Sequence, residues 1–265
     1  MKIPENYIEI NRDTWNRKTG FHLASDFYNM QAFLDGKNTL NDIELELLGD
    51  VRGKSVLHLQ CHFGQDSLSL ARMGARVTGA DLSDRAIDEA RALNGKLGLD
   101  ARFVCCDLYD LPQHLHEKFD IVFTSYGTIG WLPDMERWAS VIRHFLKDDG
   151  RFVFAEFHPV VWMFSDDFTG VGYDYFNTET IVESETGTYA DREADMVSHT
   201  VSWNHNLAEV FSALIGKGLH IRRFSEYDYS PYPCFRHVYE AEPGRFRIRS
   251  FSHRIPMVYA LECSL

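Results

Sequence analysis

The sequence predicts an α/β fold built on an open, mostly parallel β-sheet, and two observations support this fold class. From Val51 onward, short apolar runs of strand length alternate with stretches of helical periodicity. This alternation is typical of a parallel sheet whose strands are connected by helices. The chain has 265 residues, which is enough for one large domain with added segments. We therefore predict a single α/β domain.

Two strand–helix units follow each other directly at the start of this region. They comprise a strand at 54–60, a helix at 66–72 that ends at Gly74, a strand at 76–81 and a helix that begins after Ser83. Ser83 is predicted to cap the second helix, because a serine side chain accepts a hydrogen bond from a free N–H of the first turn. Ile87, Ala90 and Leu93 recur at helical spacing, so we expect them to face the sheet.

The remaining elements continue the same alternation. They are strands at 101–106, 119–125 and 151–156, a helix that Pro133 opens after the second of these, a helix at 206–215, and strands at 220–227 and 256–261. Pro133 suits the first turn of a helix, where a proline removes no hydrogen bond. Trp138, Ile142 and Phe145 fall on one side of that helix and are expected to contact the sheet.

Two segments interrupt the alternation. Residues 1–50 contain a helical pattern at 41–48, and residues 160–203 contain strand-like runs at 179–183 and 197–203. Long segments outside the regular elements commonly act as lids or binding loops. We expect both segments to cover the mouth of a ligand site.

Charge and hydropathy disfavour several classes of partner. The formal net charge is −12, and Lys and Arg form no cluster, so binding to a nucleic-acid backbone is not expected. No run of about 18 apolar residues is present to cross a membrane. Met1 to Trp15 lack the pattern of a signal peptide. We expect a cytoplasmic protein without a membrane partner.

The cysteines and histidines do not form a recognisable metal motif. The five cysteines are odd in number and have no CxxC spacing, which disfavours a disulfide framework and a zinc site. His58 with His62, and His114 with His116, lack an accompanying HExxH motif or Cys/His cluster. We predict reduced thiols and no metal.

The turn after the first strand and the end of the second carry the clearest ligand signal. In an open parallel sheet, ligands bind at the carboxyl ends of the strands. The turn runs from Gln60 to Asp66 and contains Gly64, which lets a ligand approach the backbone. Asp81 ends the second strand, and its carboxylate can accept both hydrogen bonds of a ribose diol. This arrangement predicts an adenosine-type cofactor.

Five ordered segments resemble the motifs of class I S-adenosylmethionine-dependent methyltransferases. They are VLHLQCHFGQD (56–66), VTGADLS (77–83), FVCCDL (103–108), FDIV (119–122) and LKDDGRF (146–152). The resemblance implies a seven-stranded Rossmann-like sheet with helices on both faces and an antiparallel last strand. It also implies S-adenosylmethionine as cofactor and S-adenosylhomocysteine as product. The chain then divides into a helical cap (1–50), a cofactor-binding core (51–156), an insert or lid (160–203) and a C-terminal part that completes the sheet (204–265).

The resemblance also assigns cofactor-binding roles to individual residues. It places the methionine part near Gln60, Cys61, His62 and Gly64, the ribose on Asp81, the adenine beside Leu82, Asp107 and Leu108, and the methyl group near Thr124, Ser125 and Tyr126. Asp66 and Cys106 are further candidates for binding the cofactor. Asp107 matches the acidic residue that binds the adenine amino group. Where the family has an acid and two glycines, this sequence has His58, Gln60 and His62.

Methyl transfer from a sulfonium is an in-line displacement that depends mainly on positioning, and a base is needed only for a protonated acceptor. Tyr126, Glu156 and His158 are candidate catalytic residues because they follow the fourth and fifth strands. Trp15, Tyr28, Trp131 and His205 are candidate substrate-binding residues for a small-molecule acceptor. For each, a structural role in a wall, cap or turn is the alternative.

Two other functions fit parts of this pattern. An acidic residue after a second strand also suits a nicotinamide-dependent oxidoreductase, but the turn lacks GxGxxG. A cofactor-binding protein without activity is the non-enzymatic alternative. S-adenosylmethionine-dependent methyl transfer to a small molecule is the function that we predict.

Overall fold

The computed structural model describes residues 4–265. Within this range the chain forms eight α-helices: α1 (Tyr7–Ala24), α2 (Met30–Leu34), α3 (Asp42–Leu48), α4 (Gln65–Arg72), α5 (Asp84–Leu97), α6 (Leu111–His114), α7 (Met135–Phe145) and α8 (Leu207–Gly216). None of them is both long and apolar enough to span a lipid bilayer.

Eleven strands are formed in the same range: β1 (Ser55–Leu59), β2 (Arg76–Asp81), β3 (Arg102–Cys105), β4 (Phe119–Ser125), β5 (Leu146–Phe157), β6 (Ile181–Thr186), β7 (Val197–Ser202), β8 (His220–Tyr227), β9 (Val238–Glu242), β10 (Arg245–Ile248) and β11 (Val258–Ser264). Seven make the central sheet, in the order β3-β2-β1-β4-β5-β11-β8. The first five of these are mutually parallel, and β11 is antiparallel to both β5 and β8. The predicted fold class is confirmed.

Most predicted elements are confirmed closely. β2, β4 and β8 have the predicted bounds, and Ser83 caps α5 through a hydrogen bond from the Ala86 N–H. The prediction that Pro133 opens a helix was wrong by two residues. Helix α7 begins at Met135 because the Asp134 carboxylate accepts the Arg137 N–H at 2.9 Å and acts as the cap.

Helices cover both faces of the sheet, as the resemblance implies. Alternate residues of β1 point to opposite faces. Leu57 packs in one cluster with Trp138 of α7 and Leu214 of α8. Val56 packs on the other face with Leu47 of α3. The sheet is therefore buried on both sides, and its strand ends remain as the place for a ligand site.

Helix α1 and the insert pack against each other over one end of the sheet. In the insert, β6 and β7 pair in antiparallel fashion. The Asn11 side-chain amide donates to the Val201 carbonyl at 2.8 Å and accepts the Val201 N–H at 2.9 Å. Thr14 donates its hydroxyl to the His199 carbonyl. The two added segments thus form one roof.

Candidate functional site

A cavity of about 1200 Å³ opens at the carboxyl ends of β1, β2 and β4. Pockets for one small molecule typically measure about 300–1,000 Å³, so this cavity has room for a cofactor and an acceptor. Helix α1 and the insert contribute to its walls. The predicted binding residues that line it are Gln60, Cys61, His62, Gly64, Asp66, Asp81, Leu82, Cys106, Asp107, Leu108, Ser125 and Tyr126, together with Trp15, Tyr28, Trp131 and His205.

The turn after β1 adopts the left-handed backbone conformation that glycine favours. The φ angle is 53° at Gln60, 51° at His62 and 80° at Gly64. Such a conformation costs a residue with a side chain about 1–2 kcal/mol. Gln60 and His62 stand where the resemblance expects glycines, and both adopt the backbone conformation that glycine favours.

Glycine is required at position 64 by packing as well as by φ. A Cβ atom there would lie 2.9 Å from the Phe103 ring and 3.0 Å from the Ala90 Cβ. Both distances are shorter than a carbon–carbon contact of about 3.5 Å. Gly64 therefore lets α4 start close to β3 and α5.

Two carboxylates lie at the ends of neighbouring strands. Asp81 accepts the His62 and Ser83 N–H groups, each at 2.8 Å. Burial raises the pKa of Asp81 overall, although these two hydrogen bonds act in the opposite direction. Asp107 accepts the Tyr109 N–H at 2.6 Å through one oxygen. Carboxylate oxygens each have two lone pairs, so both groups can still accept hydrogen bonds from a ligand.

Gln60 presents an unpartnered acceptor. Its Nε2 donates to the Thr128 carbonyl at 2.8 Å, which fixes the orientation of the amide. Its Oε1 is buried and has no hydrogen-bond partner within residues 4–265. A buried acceptor without a donor is unfavourable. A ligand donor such as an ammonium group would satisfy it.

Aromatic side chains line the cavity, below the roof that α1 and the insert form. The rings of Trp15 and Trp131 meet edge to face with centroids 5.3 Å apart. The Trp131 Nε1 donates to the Gly127 carbonyl at 2.8 Å. Tyr28 stacks on His62 with centroids 5.5 Å apart, and its hydroxyl is hydrogen-bonded to the Tyr189 hydroxyl. Aromatic faces of this kind can lie against a cationic ligand group.

Tyr126 is paired with a buried acid that the sequence did not identify as a site residue. Its hydroxyl donates to the Glu44 carboxylate at 2.9 Å. Glu44 lies on α3, is fully buried, and also accepts the Asn41 N–H at 3.3 Å. Burial raises the pKa of Glu44 to about 8 and that of Tyr126 well above 10. The available signal, the Asn41–Glu44 spacing of a capping box, indicates only a helix start.

We predict that replacing Glu44 with glutamine removes a pH dependence from folding stability. Its folded pKa of about 8 lies above the ordinary 4.5, so the folded state binds more protons between these values. The contribution of Glu44 to stability is therefore greatest below pH 4.5 and is lost as the pH rises to about 8. Each pKa unit is worth about 1.4 kcal/mol, so the wild type should lose up to several kcal/mol relative to E44Q. Urea unfolding at pH 5 and pH 8 measures this.

The exposed Glu46, on the same helix, provides the matched control for this prediction. The variant E46Q should keep the pH dependence of the wild type. Buried histidines titrate as well. Burial lowers the pKa of His58 to about 3, so its contribution to stability rises with pH. This contribution is the same in the wild type, E44Q and E46Q. Parallel stability curves for the wild type and E44Q would contradict a raised pKa for Glu44.

Glu156 lines the cavity but is engaged by the backbone. Its carboxylate accepts the N–H groups of Gly127, Thr128, Ile129 and Phe157, the last three at 2.8, 3.3 and 2.7 Å. Four backbone donors use the lone pairs that a proton acceptor would need. The contacts favour a structural role for Glu156, in which it holds the segment after β4.

The structure does not bring Thr124 or His158 to the cavity. Thr124 is buried inside the sheet and donates to the Leu59 carbonyl at 3.2 Å. The next residue, Ser125, lines the cavity instead, because successive side chains of a strand point in opposite directions. The Nε2 of His158 lies 2.9 Å from the Glu226 carboxylate, outside the cavity lining. His205 does line the cavity, with Nε2 2.8 Å from the Leu132 carbonyl.

Comparisons with known proteins agree with this geometry. A family described as "Methyltransferase domain" matches residues 56–150. An uncharacterized methyltransferase of Synechocystis sp. is 30% identical over 162 residues, covering 59% of this chain and 74% of that protein. The solved S-adenosylmethionine-dependent methyltransferase from Mesorhizobium loti aligns with a TM-score of 0.56 at 22% identity, covering 87% of this chain and 99% of that one. The similarity to the Mesorhizobium loti structure concerns the fold alone.

The Ubiquinone biosynthesis O-methyltransferase of Coxiella burnetii is a further relative. It is 29% identical over 136 residues, which is 50% of this chain. The chain spans 57% of the length of that relative.

Proposed function

Since the chain belongs to the class I S-adenosylmethionine-dependent methyltransferases, we propose that it transfers the methyl group of S-adenosylmethionine to a small-molecule acceptor. One observation carries the proposal. Asp81, Asp107 and the unpartnered Oε1 of Gln60 lie around one cavity at the strand ends. These acceptors suit the three hydrogen-bond-donating groups of that cofactor, namely a ribose diol, an adenine amino group and an ammonium group.

Each part of the cofactor has proposed partners among the cavity residues. Asp81 binds the ribose diol, and Asp107 accepts the adenine amino group. Leu82 and Leu108 provide apolar contacts for the adenine ring. Gln60 accepts the ammonium group through Oε1, because its Nε2 is already committed to the Thr128 carbonyl. Cofactor binding would therefore satisfy a buried acceptor that is otherwise unpaired.

The bound cofactor supplies a methyl group on a positively charged sulfur. The chain's own contribution is to orient the acceptor for in-line attack and to exclude water, which accounts for much of the acceleration in reactions of this type. Tyr126 is the proposed positioning group, since it directly follows β4 and lines the cavity. Where the acceptor arrives protonated, the ionised form of Glu44 receives the proton by way of the Tyr126 hydroxyl, and this form predominates only above about pH 8.

Two features support a small molecule as the acceptor. The cavity is roofed by α1 and by the insert, which bond to each other through Asn11 and Val201. Such a roof leaves space for a compact acceptor beside the cofactor. The net charge of −12 opposes nucleic acid as an acceptor. A relative that is named an O-methyltransferase also acts, by that name, in ubiquinone biosynthesis.

A labelled-methyl transfer assay tests the proposal. The purified chain is incubated with S-adenosylmethionine labelled on the methyl group and a metabolite extract, and small molecules are separated from macromolecules. We expect label in the small-molecule fraction. Cofactor binding without transfer to any fraction would identify the non-catalytic alternative, and label in protein or nucleic acid would reject the small-molecule acceptor.

A further inference from the structure

Helix α1 buries a polar stripe. Its buried side chains include Asn11, Lys18 and His22, which recur at helical spacing. A helix that packs on a domain normally buries apolar residues on its inner face. Asn11 is explained by its two hydrogen bonds to Val201. Lys18 and His22 have no such hydrogen bonds to the residues that the structure describes, 4–265.

Lys18 is a buried cation without a counter-ion. Its side chain is almost inaccessible, with 4% of the residue surface exposed, and it lines the cavity. Its ammonium group makes no hydrogen bond or ion pair with the residues from 4 to 265. Its Nζ lies over the rings of Trp15 and Trp131, 5.4 and 5.8 Å from their centroids. A buried charge of this kind is costly unless something pairs with it.

Two imidazole rings beside this cation are also unpaired. His62 lines the cavity, and His22 lies directly behind it with ring centroids 5.2 Å apart. Neither ring nitrogen of either histidine has a partner in the part of the chain that is described. Burial lowers the pKa of His22 to about 2 and that of His62 to about 3, with Lys18 contributing to both. Each neutral ring carries one N–H donor.

Little negative charge faces the Lys18 ammonium group. Among the residues described, Glu185 of β6 is the acid whose charge acts on Lys18. It is exposed to solvent and is not within ion-pair distance of the ammonium group. Lys18 also packs against Trp131, which follows β4, the strand end that the resemblance places nearest the methyl group. The Lys18 ammonium group therefore lies beside the region where an acceptor would bind.

We propose that Lys18 binds the anionic group of the methyl acceptor, so that the acceptor is a small organic acid carrying a carboxylate or a phosphate-type oxyanion. This inference rests on the proposed function and specifies its substrate class. The anion pairs with the Lys18 ammonium group beside the neutral rings of His22 and His62. The aromatic rings of Trp15, Trp131 and Tyr28 enclose the rest of the acceptor.

Binding of a matched anion and neutral molecule tests the proposal. The protein saturated with S-adenosylhomocysteine is titrated calorimetrically with benzoate, with its neutral counterpart benzamide, and with inorganic phosphate. We expect benzoate or phosphate to bind at least tenfold more tightly than benzamide. K18M should lose at least tenfold of the anion affinity, and R17M, which removes an exposed charge from the neighbouring position of α1, should retain it. Equal binding of benzoate and benzamide, or unchanged anion affinity in K18M, would overturn the assignment.

A second set of titrations determines whether the anion that Lys18 binds belongs to the acceptor or to the cofactor. Wild type, K18M and Q60L are titrated with S-adenosylhomocysteine and with 5′-methylthioadenosine, which lacks the amino-acid part. Q60L should weaken S-adenosylhomocysteine binding alone, and K18M should leave both affinities unchanged. If K18M weakens only S-adenosylhomocysteine binding, the anion is the carboxylate of the cofactor and the proposal is wrong. Failure of the wild type to bind S-adenosylhomocysteine would reject the proposed function, whereas benzoate titration of the free protein would still report on Lys18.

Discussion

Replacing Asp81 with alanine is expected to weaken S-adenosylhomocysteine binding by at least tenfold. In the proposed complex the Asp81 carboxylate binds the ribose diol, and in the protein it already accepts the His62 and Ser83 N–H groups. Hydrogen bonds to charged groups are worth about 1.5–3 kcal/mol each, and 1.4 kcal/mol is a tenfold change in affinity. The variant loses both the ligand contact and a restraint on the turn. Isothermal titration calorimetry measures the effect.

Two comparisons make the Asp81 prediction specific. D88N changes an exposed carboxylate on the same helix that Asp81 precedes, and it should bind as the wild type does. Adenosine carries the ribose without the methionine part. D81A should therefore weaken adenosine binding as well, if the ribose contact is direct. Loss of S-adenosylhomocysteine binding with unchanged adenosine binding would mean that Asp81 acts only through the turn, and unchanged binding of both would refute its role.

Replacing Glu156 with alanine is expected to destabilise the fold by about 4 kcal/mol or more, because each buried donor left without a partner costs about 1–3 kcal/mol. Four backbone N–H groups, from Gly127, Thr128, Ile129 and Phe157, lose their acceptor together. The first three are in the segment after β4 that forms one wall of the cavity, and Phe157 ends β5. The free energy of unfolding in urea provides the measurement.

Glu226 offers a matched carboxylate elsewhere in the same sheet. It is half exposed and lies beside His158. E226A should cost less than about 1 kcal/mol, which is typical of exposed ion pairs. The milder variant E156Q keeps the shape of the side chain. If E156Q retained full stability while methyl transfer was lost, Glu156 would be a catalytic residue and the structural assignment would fail.

The sheet could be predicted from the sequence because its strands are short, apolar and separated by strong turn signals. β2, β4 and β8 have the predicted bounds for this reason. The hairpin of β9 and β10 was missed, since charged residues such as Glu240 and Arg247 alternate along it and the pair lies outside the main sheet. β5 extends back to Leu146 rather than starting at Arg151, because an irregular register with β4 adds an early pair.

Site residues could be predicted only where they directly follow a strand in the sequence. Asp81 and Asp107 come directly after strand-like runs, so their place at the cavity follows from topology. Lys18 and Glu44 could not be found in this way. Lys18 lies on the polar inner face of α1, which gives no apolar periodicity, and Glu44 meets Tyr126 across 82 residues of sequence. The division of the chain into cap, core and insert stays a prediction.

One measurement tests the central claim that this cavity binds S-adenosylmethionine. The wild-type protein is titrated calorimetrically with S-adenosylmethionine, S-adenosylhomocysteine and NAD under the same conditions. We expect one equivalent of each sulfur-containing ligand to bind, at least a hundredfold more tightly than NAD. Tight binding of NAD with no binding of either sulfur-containing ligand would contradict the account.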